Sequence, residues 1–156
     1  FTSSVIEGGS LSSGAKAVLL AINLSANYDD FQLKSVDIHN DYGNNVDTLI
    51  SRLWIINAHT GEKLASSRFV NGKAKFRHLK EIIGRNQTKK FAFLAELNQF
   101  IPKNLADRRI KLSLSGHDLE IWGLGSGREL PVSSIHLNIQ AETFTISENG
   151  ANGGIA

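Results

Sequence analysis

Along most of this chain, apolar and polar side chains change places every second residue. The clearest run lies near the C-terminal end, where Ile135, Leu137, Ile139 and Ala141 alternate with His136, Asn138 and Gln140, and Phe144 and Ile146 follow. A period of two puts alternate side chains on opposite faces of a pleated backbone, so the run predicts a half-buried strand. Residues 15–24 carry apolar side chains in both parities, as in a strand covered on both faces, with a helix as the rival. Residues 31–40 and 52–58 follow, and Leu53-Trp54-Ile55-Ile56 joins β-branched and aromatic side chains that suit a buried pleated surface.

Turn chemistry divides the rest. His59-Thr60-Gly61-Glu62 leads into 63–70, and Asn71-Gly72 is the strongest hairpin signal because both residues tolerate positive φ. Residues 73–78 then return antiparallel, which makes 52–78 a three-stranded meander. Leu79, Ile82 and Ile83 fall at helical spacing in a stretch too short for a full helix, so a single helical turn is expected. Phe91, Phe93, Ala95 and Leu97 resume the period of two, 99–107 with Pro102 connects, and Ile110, Leu112 and Leu114 alternate again. A strand over 118–122, a Gly/Ser loop over 123–131 and the final strand complete the chain. About eight or nine short strands with regular turns predict an all-β fold, an antiparallel immunoglobulin-like β-sandwich.

The opening FTSSVIEGGSLSSG is Ser/Gly-rich and has too few apolar residues to bury any alone. The expected organisation is an extendable N-terminal segment over 1–14, a β-sandwich domain over 15–147 and a flexible Gly/Asn-rich tail over 148–156. A chain of 156 residues fits one domain of the usual ~100–150. There is no cysteine, which excludes disulfides, thiolate nucleophiles and thiolate metal sites together. Methionine is absent even at position 1, as expected of a mature secreted protein after signal-peptide removal, or of a chain trimmed and numbered from one. No stretch reaches the ~18 apolar residues of a membrane-spanning helix; the longest candidate, 15–26, is interrupted by Lys16, Asn23 and Ser25.

Candidate chemistry changes this picture little. Asp37, His39 and Asp41 share one face if their segment is a strand, and a His with two carboxylates suits a divalent cation. Asp41, Asn45 and Asp47 around Gly43 offer oxygen ligands better suited to calcium. Exposed polar residues at a strand end explain both sets more cheaply, so no cofactor is expected beyond such a cation. Asn23-Leu24-Ser25 and Asn86-Gln87-Thr88 are glycosylation sequons, and Asn86 in a loop is the better acceptor. Lys73, Lys75, Arg77, Lys80, Arg85, Lys89 and Lys90 face a lone Glu81; this reads as a solvated or contact face, suited to acidic glycans, and nucleic acid is not expected as a partner. Gly123-Leu124-Gly125-Ser126-Gly127 lacks the Lys-Ser/Thr pair of a phosphate loop, and neither a G-x-S-x-G elbow nor an HExxH helix occurs.

Leu53-Trp54-Ile55-Ile56-Asn57, the string Gly116-His117-Asp118-Leu119-Glu120-Ile121 leading to Gly125-Ser126-Gly127, and Thr143-Phe144-Thr145-Ile146 carry a resemblance. From 31 to 146 the chain resembles the Ig-like sandwich domains of bacterial and archaeal surface-layer and pilus-like filament subunits, of the TasA and bundling-pilus types. The resemblance implies a non-enzymatic structural subunit of an extracellular filament or layer, a homopolymer in which the N-terminal segment completes a neighbour's sheet. Phe1, Val5 and Leu11 share one parity and would fill pockets at that junction, with Ile6 breaking the pattern. The plainer expectation is a disordered terminus or a first strand folded back on its own domain. The alternative function is a monomeric surface adhesin or carbohydrate-binding module, with Trp122 and Arg128 contacting ligand.

Overall fold

A computed structural model of the chain describes residues 8–27, 29–105 and 107–147. The fold is all-β and mainly antiparallel. Its strands are β1 (Gly9–Ser12), β2 (Lys16–Ala26), β3 (Phe31–Asn40), β4 (Ile50–Asn57), β5 (Lys63–Ser67), β6 (Phe69–Val70), β7 (Lys73–Phe76), β8 (Glu81–Ile83), β9 (Thr88–Leu97), β10 (Arg109–Ile110), β11 (Leu112–Ser113), β12 (Leu119–Gly123), β13 (Ile135–Ala141) and β14 (Phe144–Ser147). One helical turn, α1 (Val46–Leu49), precedes β4.

The strands form a five-stranded sheet in the order β13-β2-β9-β4-β5, a six-stranded sheet centred on β3, and a three-stranded sheet β1-β14-β10. In the six-stranded sheet, β3 pairs with β11 and β12 along one edge and with β7 and β8 along the other. The apolar parity of each long strand meets in one core. Leu20, Ile22, Leu53, Ile55, Phe91 and Phe93 enter it from the five-stranded sheet, Phe31, Leu33, Ile38 and Phe76 from the six-stranded sheet, and Phe144 and Ile146 from β14. Phe76 and Phe93 join the two larger sheets, their ring centroids 5.8 Å apart and tilted by 56°. Burying such a side chain stabilises the fold by about 1.5–3 kcal/mol.

Residues 16–24 lie in strand β2, so the helical rival is set aside: β2 bonds β13 on one edge and β9 on the other. The hairpin at Asn71-Gly72 has φ of 55° and 80°, the left-handed pair that a tight two-residue connection needs. Gly72 has a second reason to be glycine, since a Cβ there would stand 3.2 Å from the Gly43 carbonyl oxygen.

Four expectations are corrected. The meander over 52–78 is divided between sheets: β5 pairs with β4, but after exposed Arg68 the chain crosses so that buried Phe69 enters the core and β6–β7 join β3. In place of the helical turn at 79–83, residues 81–83 form strand β8, paired with Phe31–Leu33 along the β3 edge that β7 leaves open. The strand over 110–114 is two pieces. Arg109 and Ile110 pair with β14, Leu112 and Ser113 pair with β3, and Lys111 marks the crossing, its N–H donating to Asn40 Oδ1 at 3.0 Å. Finally, Ile139 is 40% exposed despite its apolar parity, because β13 is an edge strand with β2 alone beside it.

Candidate functional site

The first candidate place is the pairing of the chain's two ends. β1 lies parallel to β14, with Gly9 beside Phe144, Leu11 beside Ile146 and Ser12 beside Ser147. Gly9 N–H donates to the Thr143 carbonyl at 3.2 Å, and the Ser147 hydroxyl donates to the Leu11 carbonyl at 3.1 Å. The approach is so close that a Cβ on Gly8 would collide with the Thr143 carbonyl. A tight turn then leads into β2, with Gly14 at φ 79° and its N–H donating to the Asn98 carbonyl at 2.9 Å. Leu11 is half-buried against the core. The other candidate donor residues, Phe1, Val5 and Ile6, lie outside the described residues.

Parallel register has a geometric consequence. The chain arrives at the Gly9/Phe144 end of the pair and departs at the Ser12/Ser147 end, about 10 Å away at the rise of a strand. Arrival and departure are therefore on opposite ends of this strand pair.

The second place is the outward face of β3. Its alternation puts Asp37 and His39 there, but each takes a different partner. Arg77 Nη1 donates to Asp37 Oδ1 at 2.6 Å, His39 Nε2 lies 2.9 Å from Asp118 Oδ1, and the Ser113 hydroxyl donates to Asp41 Oδ1 at 2.6 Å. Burial pushes the Asp118 carboxyl up, yet the Ser115 backbone N–H, the His39 ring and the Ser115 hydroxyl outweigh it and hold the group below its ordinary value. Asp47 looks elsewhere: its two oxygens accept the backbone N–H groups of Asn71 at 2.6 Å and Gly72 at 2.9 Å, clamping the hairpin. Asn45 donates to the Asp107 carbonyl at 3.1 Å. Among the described residues no group of three or more His, Asp or Glu converges as a cation site.

The third place surrounds Trp122 on β12. Its indole N–H donates to Glu120 Oε2 at 2.8 Å, the Ser35 hydroxyl donates to Glu120 Oε1 at 3.2 Å, and Lys34 Nζ sits 4.3 Å from the centre of the Trp122 ring. That ammonium gains from the ring's negative face. Arg128 is exposed in the loop after β12, and its carbonyl accepts the Gly123 N–H at 2.9 Å. The five-stranded sheet repeats the arrangement: Trp54 N–H donates to Glu96 Oε2 at 2.8 Å, with Lys63 Nζ 4.4 Å from its ring. Lys34, Ser35 and Glu120 escaped the sequence reading. Their signal is modest, a Glu two residues before a Trp on one strand face.

The basic run alternates as expected up to Phe76, with Ala74 and Phe76 buried between Lys73, Lys75 and Arg77. It then breaks. His78 takes φ 60° and is exposed, and Leu79 enters the core in its place. Of the two sequons, Asn86 is exposed at φ 67° in a turn closed by Gln87 N–H to the Gly84 carbonyl at 3.0 Å. Asn23 is half-buried on β2, between Asn138 and Lys90.

These features define a class, an all-β and mainly antiparallel protein with polar ladders on its outer sheet faces. No protein-family model matches the chain, and no curated protein matches it. Among solved structures it is similar to a family 123 glycoside hydrolase from Clostridium perfringens, a structure described for glycolipid glycan hydrolysis. The identity is 10% and the TM-score 0.39, over 91% of this chain and 23% of that one. The chain thus spans less than a quarter of that hydrolase's length.

Proposed function

We propose that the chain is a non-enzymatic structural subunit of an extracellular cell-surface filament or layer, an immunoglobulin-like β-sandwich that joins copies of itself by strand complementation. The observation that carries this reading is the parallel register of β1 and β14. A unit that receives chain at one end of a strand pair and releases it at the other suits linear, head-to-tail assembly. The sandwich part is supported by the contact of the two larger sheets through Phe76 and Phe93.

β1 is short, and Leu11 is its one apolar side chain. Little intramolecular burial is lost if the same strand position beside β14 is filled by the N-terminal segment of a second copy. Side chains of Phe1, Val5 and Ile6 would then add apolar contact that Gly9–Ser12 cannot supply. Secretion and placement at the cell surface belong to the same proposal, with other surface components as further partners.

Negative-stain electron microscopy of the native protein, with light scattering beside it, tests this. Filaments or sheets repeating at the size of one small domain are the expected result. A monodisperse particle of 17.0 kDa at all concentrations overturns it. A second reading, a monomeric surface adhesin or carbohydrate-binding module, is favoured by one observation, the groove that Lys34 and Glu120 line.

A further inference from the structure

We propose that the open groove on the outer face of the six-stranded sheet binds an acidic saccharide, a sugar chain that carries carboxylate groups. This rests on the carbohydrate-binding reading and is independent of assembly. The groove has a volume of about 440 Å³, and its walls include Gln32, Lys34, Arg77, His78, Lys80 and Glu120. That is within the roughly 300–1,000 Å³ of small-molecule sites.

Two irregularities build it. β7 ends at Phe76 and β8 begins at Glu81, both against β3, so residues 77–80 swing out of the sheet between them. The Leu79 N–H ties this excursion to the Lys34 carbonyl at 2.9 Å and the Leu79 side chain anchors it in the core, while Arg77, His78 and Lys80 stay exposed. His78 holds φ 60° to do so, a conformation costly for a side chain with a Cβ. Across the groove, the β3–β12 register slips between Glu120 and Ile121, where Ser35 faces Glu120 and Leu33 faces Ile121. Lys34 is the extra residue, and such bulges re-aim side chains.

The charges are arranged for an anion. Lys34, Arg77 and Lys80 stand against Glu120 and the Asp37 partner of Arg77, leaving a net positive wall. Glu120 keeps its charge, but Trp122 N–H and the Ser35 hydroxyl bond its two oxygens and fix the carboxylate against β12 and β3. Arg77 spends Nη1 on Asp37 and on the Phe76 carbonyl, so Nη2 and Nε are left to donate to a carboxylate, the geometry in which guanidinium is strongest. Gln32 and His78 add groups that pair with hydroxyls.

Trp122 takes a different part from the one its sequence position suggests. Lys34 Nζ sits over one face of its ring, 4.3 Å from the centre, so the ring positions that ammonium on the groove wall. No Trp, Tyr or Phe is among the described residues that line the groove, so it offers none of the broad aromatic faces on which single-stranded nucleic acid stacks. Carboxylated sugar is the class that a concave, cationic and hydroxyl-matching surface of this size recognises.

Isothermal titration of the whole chain with tetragalacturonate decides the matter, with maltotetraose as the neutral probe and oligo-dT as the nucleic-acid probe. The expected result is saturable binding of the uronate, none of the neutral sugar, and an affinity loss of about tenfold or more in the Lys34→Gln/Lys80→Gln variant. The Lys73→Gln/Lys75→Gln variant, on the same sheet but outside the groove, keeps wild-type affinity, and near-UV circular dichroism confirms that both variants are folded. The proposal is overturned by absent uronate binding, by equal binding of the neutral sugar, by equal losses in the two variants, or by oligo-dT binding more tightly than uronate. Each of these results stands whether or not the protein forms filaments.

Discussion

Leu11 and Ile146 lie side by side in parallel register, bringing the two ends of the described chain into one strand pair. It is the one parallel strand pair among the described residues, every other being antiparallel. β1 brings Gly9, Ser10, Leu11 and Ser12 to it. Of these, Leu11 alone reaches the core, so the pairing is geometrically specific and energetically slight, the combination that an exchangeable strand requires.

Deleting residues 1–12 is therefore expected to leave a folded domain that does not assemble. The half-buried Leu11 accounts for a stability loss of about 1–2 kcal/mol, less than a fully buried leucine would give. Thermal melts followed by circular dichroism read the first quantity and sedimentation velocity the second. Polymers of normal length from the truncated chain would remove strand complementation as the joining device.

Phe100 is 84% exposed and follows Gln99, whose side chain packs on the β1–β2 turn at Gly14. It thus stands close to the end of the β1–β14 pair from which the chain departs. Phe100→Ser is expected to leave the melting midpoint unchanged, within about 0.5 kcal/mol, as for surface substitutions generally. Assembly should weaken in the same protein, because the exposed ring is available to a neighbouring copy. Unaltered polymerisation in a turbidity or scattering titration would show that this end makes no such contact.

Much of the fold was legible in the chain because period-two alternation reports which face of a strand is buried. Phe31 to Asn40 and Phe91 to Leu97 stand where alternation puts them, and the Asn71-Gly72 turn stands where its tolerance of positive φ puts it. Sheet membership was not legible. Nothing local tells that the chain crosses at Arg68 or at Lys111, since those crossings are fixed by partners such as Asn40, far away in sequence. The same holds for the candidate sites. Asp37 and His39 share a face of β3 while Asp41 lies in the turn beyond its end, and spacing carries no information about Arg77, Asp118 and Ser113, which take up those three groups one by one.

Asp47 shows how a ligand-type residue can serve the backbone. Its carboxylate accepts two N–H groups from the Asn71-Gly72 turn, and Gly72 is buried, so removing the acceptor strands a buried donor. Asp47→Ala is expected to cost about 1–3 kcal/mol, and Asp47→Asn less, because one carbonyl acceptor survives. Urea titration measures both. An alanine variant as stable as wild type would mean that water replaces the clamp without loss.

The acid limb of stability should report Asp118. Its folded pKa lies below the ordinary 3.8, so the unfolded chain binds more protons as pH falls through that range. The stability contributed by the Ser115 and His39 contacts is fully present above the ordinary value and is lost as pH drops through the folded one. Asp107 is also lowered, by the Arg109 side chain first and then by its backbone N–H, but that pair is at the surface, where salt screens it. Asp118→Asn is therefore expected to lower stability at neutral pH and to flatten its fall as pH drops below the ordinary 3.8, a difference that survives high salt. Denaturant midpoints collected across that range for both proteins give the comparison. Parallel acid limbs would show that the Asp118 contacts form equally well in the unfolded chain or contribute nothing to folding.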